Sequence, residues 1–250
     1  MAVFQDSVQF NTLGGGQLEY QATEVARAML NSPQNPALAT HTFSLEDNTV
    51  KVLRYPLGPS LGQCCGGVVN LSFECVFAQD RARLAKTLQK EEPHLALFGA
   101  GHVGQALMKV MCTLPWELTW IDSREDMLLQ QAFPSVQMEH SEPVQMAVDD
   151  LRPQTHVLIM SFSHAEDLDI VARCLHRQRR LHDLASVGLI GSGTKWATFQ
   201  KRLLERGFTQ EELDTVECPI GLLGIEGKEP EVIAVSVAAR LLQLQELIQA

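Results

Sequence analysis

Apolar residues are distributed in two different ways along the 250 residues of this chain, and the pattern changes near Pro93. After Pro93, short apolar runs alternate with stretches in which apolar residues recur at helical spacing. The runs, which predict strands, lie at 95–98, 118–121, 135–138, 155–160 and 185–190. The helical stretches lie near 103–113, 124–132, 166–180 and 194–206. Alternating strands and helices favour a doubly wound parallel sheet, which we predict for residues 93–250.

Residues 1–92 predict a smaller α+β domain. An apolar face from Gln17 to Leu30 predicts a helix, and a charged helix is expected near Asp80–Glu92. Runs typical of strands lie at Thr40–Leu45, Val50–Tyr55 and Val68–Phe77. At the other end of the chain, Pro230–Ile248 contains no further Gly or Pro and predicts a final helix, with a strand at Val232–Val237 as the alternative.

A glycine pattern follows the first apolar run after Pro93. Gly99, Gly101 and Gly104 are spaced as Gly-x-Gly-x-x-Gly between a predicted strand and a predicted helix, and Asp122 ends the next strand. In a Rossmann-type domain the first glycine permits a tight turn, and the second lets a phosphate approach the backbone. The third lets the helix pack on the strand, and the N-terminus of that helix attracts an anion.

This combination predicts a nucleotide or phosphate site; the alternative is a glycine turn without a ligand. Asp122 is placed to accept hydrogen bonds from a ribose or another polyol. His102 lies within the loop, where its side chain could reach a ligand. The fold class that follows is α/β, with a C-terminal Rossmann-type doubly wound parallel sheet preceded by the smaller α+β domain.

Further candidate residues lie where later strands are predicted to end, because doubly wound sheets bind ligands at that edge. His164 is a candidate for contacting a ligand or handling a proton, or else a solvated loop residue. Thr194 and Lys195 begin a predicted helix after Gly191, and their hydroxyl and cation suit a second phosphate. The spacing of a Walker A loop is absent.

Two adjacent cysteines, Cys64 and Cys65, lie among the glycines at 62, 66 and 67. They do not form Cys-x-x-Cys, and no paired His/Cys set completes a zinc site. Soft thiolates beside unencumbered glycine backbone would suit a sulfur-bearing or soft-metal ligand. The residue types alone slightly favour the alternative, two small buried side chains.

Composition narrows the possible partners and the compartment. A formal net charge of −10 argues against nucleic acid or an acidic membrane surface as a partner. No stretch approaches the roughly 20 apolar residues of a membrane span, and the N-terminus lacks the pattern of a signal peptide. Six cysteines without the spacing of a disulfide scaffold suit a reducing compartment, so we expect a cytoplasmic protein.

Taken together, several segments resemble the XdhC/CoxI family, the accessory proteins of xanthine dehydrogenase maturation. They extend from residue 14 to residue 240, which is nearly the whole chain. The matching segments are Gly14-Gly15-Gly16-x-Leu18-Glu19, Gly62-x-Cys64-Cys65-Gly66-Gly67, Phe98-Gly99-x-Gly101-His102-x-Gly104, Asp122-x-Arg124, Ser163-His164 with Asp169, Gly188-x-x-Gly191-Ser192-x-Thr194-Lys195, Cys218-Pro219-x-Gly221-x-x-Gly224-x-x-Gly227-Lys228-Glu229-Pro230 and Ala234-x-Ser236.

The resemblance implies a maturation chaperone, not an enzyme. Such a protein binds the molybdenum cofactor (molybdopterin), supports its sulfuration by a cysteine desulfurase and delivers it to xanthine dehydrogenase. The cofactor-binding candidates are Gly99, Gly101, His102, Gly104, Asp122, His164, Thr194, Lys195, Cys64 and Cys65, and no catalytic residue is predicted. Of these, Cys64 or Cys65 would shield or ligate the molybdenum across an interdomain cleft.

Two expectations concern the ends and the assembly of the chain. Members of the family usually carry a further segment before the Gly-Gly-Gly-x-Leu-Glu stretch, whereas 13 residues precede Gly14 here. The resemblance therefore implies an N-terminally shortened first domain. A homodimer of this chain is one assembly that agrees with the resemblance.

Two other function classes remain open at this point. One is an NAD(P)-dependent oxidoreductase that uses the same glycine loop; Asp122 would suit NAD better than NADP, because a 2′-phosphate would meet an anion. No catalytic base paired with a substrate anchor supports that class. The other is a regulatory module that senses a nucleotide with its Rossmann half and binds a partner with its first domain.

Overall fold

A computed structural model describes residues 1–4, 8–31, 50–57, 67–88, 92–129 and 133–249 of the chain. It divides into two compact units, Met1–Gln89 and Lys90–Ala250. Our prediction from the sequence divides the chain at residues 92 and 93. The predicted strand at Thr40–Leu45 and the cysteine pair at 64 and 65 lie outside the described residues.

The first unit combines helices with antiparallel strands. Its elements are β1 (Ala2–Val3), β2 (Gln9–Phe10), α1 (Gly16–Leu30), β3 (Lys51–Pro56), β4 (Val68–Phe73), a 3-10 turn at Ala78–Asp80 and α2 (Arg81–Leu88). β1 pairs with β2, and β3 pairs with β4 from Lys51 opposite Phe73 to Pro56 opposite Val68. Leu18 of α1 and Tyr55 of β3 are buried together in a small core.

The second unit contains a six-stranded parallel sheet. Its strands are β5 (His94–Phe98), β6 (Glu117–Asp122), β7 (Val136–His140), β8 (Thr155–Ile159), β9 (Ser186–Leu189) and β10 (Val216–Glu217). The order across the sheet is β10-β9-β8-β5-β6-β7, as in Rossmann-type domains. The chain order reverses between β5 and β8, and ligands of such sheets bind beyond the carboxyl ends of those strands. The predicted fold class is confirmed.

Helices cover both faces of this sheet. They are α3 (His102–Met111), α4 (Glu125–Leu129), α5 (His164–Leu181), α6 (Gly193–Glu205), α7 (Gln210–Leu213) and α8 (Pro230–Gln249), with a 3-10 segment at Val144–Asp150. Leu95 and Leu97 of β5 lie in one core with residues of α3 and α8, whereas Ala96 and Phe98 lie in another with residues of α5. Burial on both faces explains why the strand is a continuous apolar run.

Local sequence signals account for two of the helix boundaries. The predicted capping box before α7 is present: Thr209 Oγ1 accepts a hydrogen bond from the Glu212 amide, and the Glu212 carboxylate accepts one from the Thr209 amide. Hydrogen bonds from Arg179 and then from Thr209 lower the pKa of Glu212 to about 2. Pro230 starts α8, which confirms the predicted final helix.

Two buried histidines lie at the amino end of the sheet, opposite the ligand-binding edge. The ring nitrogens of His94 are 2.7 Å from Thr155 Oγ1 and 2.8 Å from Thr119 Oγ1. Those of His156 are 2.8 Å from Ser186 Oγ and 2.9 Å from Gln245 Oε1 of α8. Burial lowers the pKa of His156 and lowers that of His94 to about 4. Both rings are therefore neutral at pH 7.

We predict that stability falls between pH 7 and pH 5. The pKa of His94 is about 4 in the folded chain against 6.5 ordinarily, so the unfolded chain binds more protons in this window. The free energy of unfolding should fall by about 2 kcal/mol for this residue. Urea denaturation at the two pH values measures the loss, and His94→Gln should reduce it. An unchanged loss in the variant would contradict the assignment to His94.

Candidate functional site

The turn after β5 depends on a glycine at position 99. Gly99 has a φ of +119°, in the left-handed region that favours glycine. Its amide donates a hydrogen bond to the Ile121 carbonyl at 2.8 Å. A Cβ at this position would lie 2.1 Å from the carbonyl oxygen of Met160. Gly99 therefore lets the backbone after β5 approach both neighbouring strands at the carboxyl edge of the sheet.

Gly104 allows α3 to pack against the same turn. A Cβ on Gly104 would lie 2.3 Å from the carbonyl oxygen of Gly99. The same oxygen accepts a hydrogen bond from Trp120 Nε1 at 2.9 Å. Because this oxygen is held by Trp120, it has little freedom to move away from a larger residue at position 104.

Gly101 differs from both of these glycines. Its φ lies outside the positive range, and no described residue except its two chain neighbours has a heavy atom within 4 Å of the position that its Cβ would take. Neither the backbone nor the packing of the described residues therefore requires glycine here. Gly101 is the N-cap of α3, where the first backbone N–H groups have no intrahelical partner. A glycine with open space beside it suits close approach of an anionic ligand to those N–H groups.

We predict that Gly101→Val and Gly104→Ala separate ligand binding from folding. Gly101→Val should leave the melting temperature near that of the wild type and weaken binding of a phosphate-bearing ligand about tenfold, near 1.4 kcal/mol. Gly104→Ala should instead lower the free energy of unfolding by about 1–3 kcal/mol, because its Cβ meets backbone. Thermal denaturation and titration of both variants with a phosphate-bearing ligand provide the check. Unchanged affinity in folded Gly101→Val would remove the phosphate-loop assignment.

Asp122 is buried and paired within the chain. Its side chain is 2% exposed, and Oδ2 accepts a hydrogen bond from the Ala100 amide at 2.6 Å. Arg124 donates Nε to Oδ1 and Nη2 to Oδ2, both at 2.9 Å. Burial would raise the pKa of Asp122, but hydrogen bonds from Arg124 and Ala100 outweigh it and lower the pKa. Asp122 is thus an ionised carboxylate whose two oxygens already have donors.

Pairing with Arg124 offsets the negative charge that Asp122 alone would place at the end of β6. We expected a 2′-phosphate to meet an anion at Asp122; in the structure that carboxylate is paired with Arg124, so a phosphate would meet an ion pair. The Arg124 guanidinium lies 4.7 Å from the ring centroid of Phe162, an exposed residue after β8. Arg124 is not among the site residues predicted from the sequence, although the Asp-x-Arg spacing is the signal that could have identified it.

Lys195 is held by a second buried aspartate. Its Nζ donates to Asp167 Oδ2 at 2.6 Å and to the Ile190 carbonyl at 2.8 Å. Asp167 Oδ1 also accepts hydrogen bonds from the Ser161 amide and hydroxyl, each at 2.8 Å. The side chains are 11% exposed for Lys195 and 2% exposed for Asp167. This network joins α5 and α6 to the loops after β8 and β9.

Cys218 lies beside this network. The side chains of Lys195 and Cys218 both pack against Gly191. A Cβ added to this glycine would lie 2.8 Å from Lys195 Cδ and 3.4 Å from Cys218 Sγ. Burial raises the pKa of Cys218 to about 11, although Lys195 acts in the opposite direction. The thiol is therefore protonated at pH 7, and only an approaching ligand or a change in burial would make it a thiolate.

We predict that Lys195→Met destabilises the fold. It leaves the buried Asp167 carboxylate without its cation, which should lower the free energy of unfolding by about 3 kcal/mol. Arg206 supplies the control, because its ion pair with Asp169 is exposed and Arg206→Met should cost less than about 1 kcal/mol. Urea denaturation compares the two variants. Equal, small losses would show that the Lys195–Asp167 pair contributes no more than a surface pair.

The structure brings together some predicted site residues and leaves others apart. Gly99, Gly101, Gly104 and Asp122 surround one turn, and exposed His102 begins α3 beside it. Exposed His164 begins α5, with its ring 6.4 Å from that of Phe199. Thr194, also exposed, lies in the first turn of α6. Cys64 and Cys65 lie outside the described residues.

The glycine motif near the N-terminus has a structural explanation. Gly14, Gly15 and Gly16 all have positive φ and fold the chain around Glu19. The Glu19 carboxylate accepts hydrogen bonds from the Thr12 hydroxyl, from Gln9 Nε2 at 2.8 Å, and from backbone amides of the loop. These hydrogen bonds, that of Thr12 first, lower the pKa of Glu19 to about 2. The motif therefore stabilises the start of α1.

The described part of the chain has neither a metal cluster nor a membrane-spanning helix. No group of three or more His, Cys, Asp or Glu side chains there could hold a metal ion. No helix there is long and apolar enough to span a membrane. The glycine turn with its Asp122–Arg124 pair is therefore the site that this structure supports best.

Comparison with known proteins identifies the family. The model of the XdhC Rossmann domain matches residues 95–241, more than half of the chain. The chain belongs to the XdhC family. The matched range includes the glycine turn, the Asp122–Arg124 pair and the Lys195–Asp167 pair.

Two relatives of this XdhC protein extend the comparison. The chain is 25% identical over 248 residues to YqeB of Escherichia coli K12, a protein named as uncharacterized, and spans 40% of the length of YqeB. A crystal structure named as a xanthine dehydrogenase from Bacillus halodurans has the same fold, with a TM-score of 0.70 and 18% identity. That likeness covers 98% of this chain and 85% of the other.

Proposed function

We propose that this XdhC-family protein is an accessory protein of xanthine dehydrogenase. In this role it binds the molybdenum cofactor, supports its sulfuration by a cysteine desulfurase and delivers it to the dehydrogenase. Membership of the XdhC family carries the proposal. The Bacillus halodurans protein that shares the fold bears the name of the dehydrogenase, which agrees with this assignment.

The glycine turn fits the phosphate of molybdopterin. Open space beside Gly101 lets a phosphate reach the backbone N–H groups at the start of α3, and His102 is exposed at the same place. These N–H groups donate hydrogen bonds and carry a partial positive charge, so they hold an anion without a bound cation. The role of this turn is to hold and orient the cofactor by its phosphate.

The metal end of the cofactor requires softer ligands than this turn offers. When bound, the cofactor supplies a molybdenum centre with exchangeable oxo or sulfido ligands. Cys64 and Cys65 are the thiols that we propose to shield or ligate it, because thiolates prefer soft metals. Protonated, half-buried Cys218 is a poorer ligand in the conformation described.

The partners that we propose are proteins. A formal net charge of −10 favours a specific protein surface over a polyanion. The chain would meet a cysteine desulfurase before xanthine dehydrogenase, because sulfuration precedes delivery in this proposal. A homodimer is compatible with the proposal but is not needed for it.

We predict that the protein activates xanthine dehydrogenase without turning over a substrate itself. Purified protein loaded with sulfurated cofactor should restore activity to cofactor-free dehydrogenase faster and to a higher level than free cofactor does. Urate formation from xanthine measures the effect, with Gly101→Val as the variant that should lose it. Activation no better than with free cofactor, together with NAD(P)-linked reduction of a small substrate, would favour the oxidoreductase instead.

A further inference from the structure

The cation beside the glycine turn has a chemical preference that the proposed function does not specify. We propose that Arg124 is a phosphate-binding residue, and that the site selects a ligand carrying a phosphomonoester over one with an unsubstituted ribose diol. This inference rests on the proposed function, because it assigns Arg124 to the phosphate of the same ligand. Four features of the site support this role: the donor geometry of Arg124, its position, the side chains that hold it and the charges nearby.

The geometry of the Asp122–Arg124 pair leaves some N–H donors of the guanidinium for a ligand. Arg124 binds Asp122 side-on through Nε and Nη2, with both distances at 2.9 Å. Over the described part of the chain, Nη1 has no hydrogen-bond partner. Arginine has five N–H donors in a planar fork, so the pair with Asp122 leaves donors for a second oxyanion. A planar fork of this kind binds phosphate oxygens with two parallel hydrogen bonds.

The position of Arg124 puts those donors next to the glycine turn. Asp122 Oδ2 accepts a hydrogen bond from the Ala100 amide at 2.6 Å and from Arg124 Nη2 at 2.9 Å. The guanidinium and the backbone between Gly99 and Gly101 therefore contact one and the same oxygen atom. A phosphate group bound at the start of α3 would therefore lie close to both the guanidinium and this backbone.

The support of Arg124 keeps the guanidinium in one orientation. Asp122, almost completely buried, fixes one edge, and the Phe162 ring lies 4.7 Å from the guanidinium carbon. A side chain held from two directions loses little conformational entropy when it binds a ligand. A ribose diol, by contrast, needs a carboxylate with accepting capacity to spare, and both oxygens of Asp122 already accept hydrogen bonds.

The nearby charges oppose an anion only moderately. Asp122, Glu166 and Asp126 all raise the pKa of Arg124, so the guanidinium is cationic. Asp122 is neutralised by direct pairing, whereas Glu166 accepts a hydrogen bond from the neutral Ser123 hydroxyl at 2.7 Å. Glu166 is therefore an acidic group that a bound phosphate would meet unneutralised. Removing its charge should strengthen phosphate binding without touching the Asp122–Arg124 pair.

Two ligands share the required chemistry, namely the phosphate of molybdopterin and the 2′-phosphate of NADP. The test titrates the full chain with molybdenum cofactor, NADP⁺ and NAD⁺ by calorimetry. Arg124→Gln should weaken binding of a phosphomonoester ligand at least tenfold and leave NAD⁺ unaffected; the ligand that loses affinity identifies the source. Arg179→Gln is the matched control, because Arg179 also binds a carboxylate, Glu212, through Nε and Nη2 and lies 5.0 Å from an aromatic ring, Phe208.

A second variant protects the test against misfolding of Arg124→Gln. Glu166→Gln keeps the hydrogen bond to Ser123 and should tighten binding of the same phosphomonoester ligand at least threefold. The proposal is overturned if neither variant changes the affinity for NADP⁺ or for the cofactor, or if no phosphomonoester ligand binds the wild type.

The outcomes also separate this inference from the proposed function. If wild-type protein binds NADP⁺ through Arg124 and does not bind the cofactor, the role of Arg124 stands and the accessory function falls. If the cofactor binds equally well to wild type and to folded Arg124→Gln, and NADP⁺ loses no affinity either, the accessory function stands and the role of Arg124 falls.

Discussion

The site depends on the contact between Gly99 and the carbonyl oxygen of Met160. This contact leaves no room for a Cβ, because that atom would lie 2.1 Å from the oxygen. It joins the ends of β5 and β8, between which the strand order reverses. The start of α3 and the residues after β8 consequently face the same edge of the sheet. The phosphate contact proposed at the start of α3 depends on this turn.

Each half of this edge carries a cation that is fixed by a buried aspartate. Asp122 holds Arg124 beside the glycine turn, and Asp167 holds Lys195 beside Cys218. The two pairs differ in the N–H donors that each leaves for a ligand. Among the described residues, Arg124 is partly exposed and keeps N–H donors without a partner, whereas Lys195 directs its Nζ at a carboxylate and a carbonyl. We therefore assign anion binding to the first half and structural support to the second.

The backbone could be predicted from the sequence far better than the side-chain pairs. The apolar runs from 95 to 190 fall on β5 to β9, and the glycine spacing locates the turn, because both depend on local pattern. β10 has two residues, which are too few to show the apolar pattern by which a strand is recognised in a sequence. The sequence predicts Asp122 as a ligand-contacting residue but not its pairing with Arg124. Lys195 of α6 pairs with Asp167 of α5, which lies 28 residues away along the chain. Such pairs depend on tertiary packing.

The central claim is that the phosphate of the molybdenum cofactor binds at the start of α3. A crystal structure of the protein with the cofactor bound tests it most directly. We expect the phosphate within hydrogen-bonding distance of the backbone N–H groups next to Gly101 and of the Arg124 guanidinium. A cofactor whose phosphate lies instead at the loop before α6, against Thr194 and Lys195, would contradict the claim.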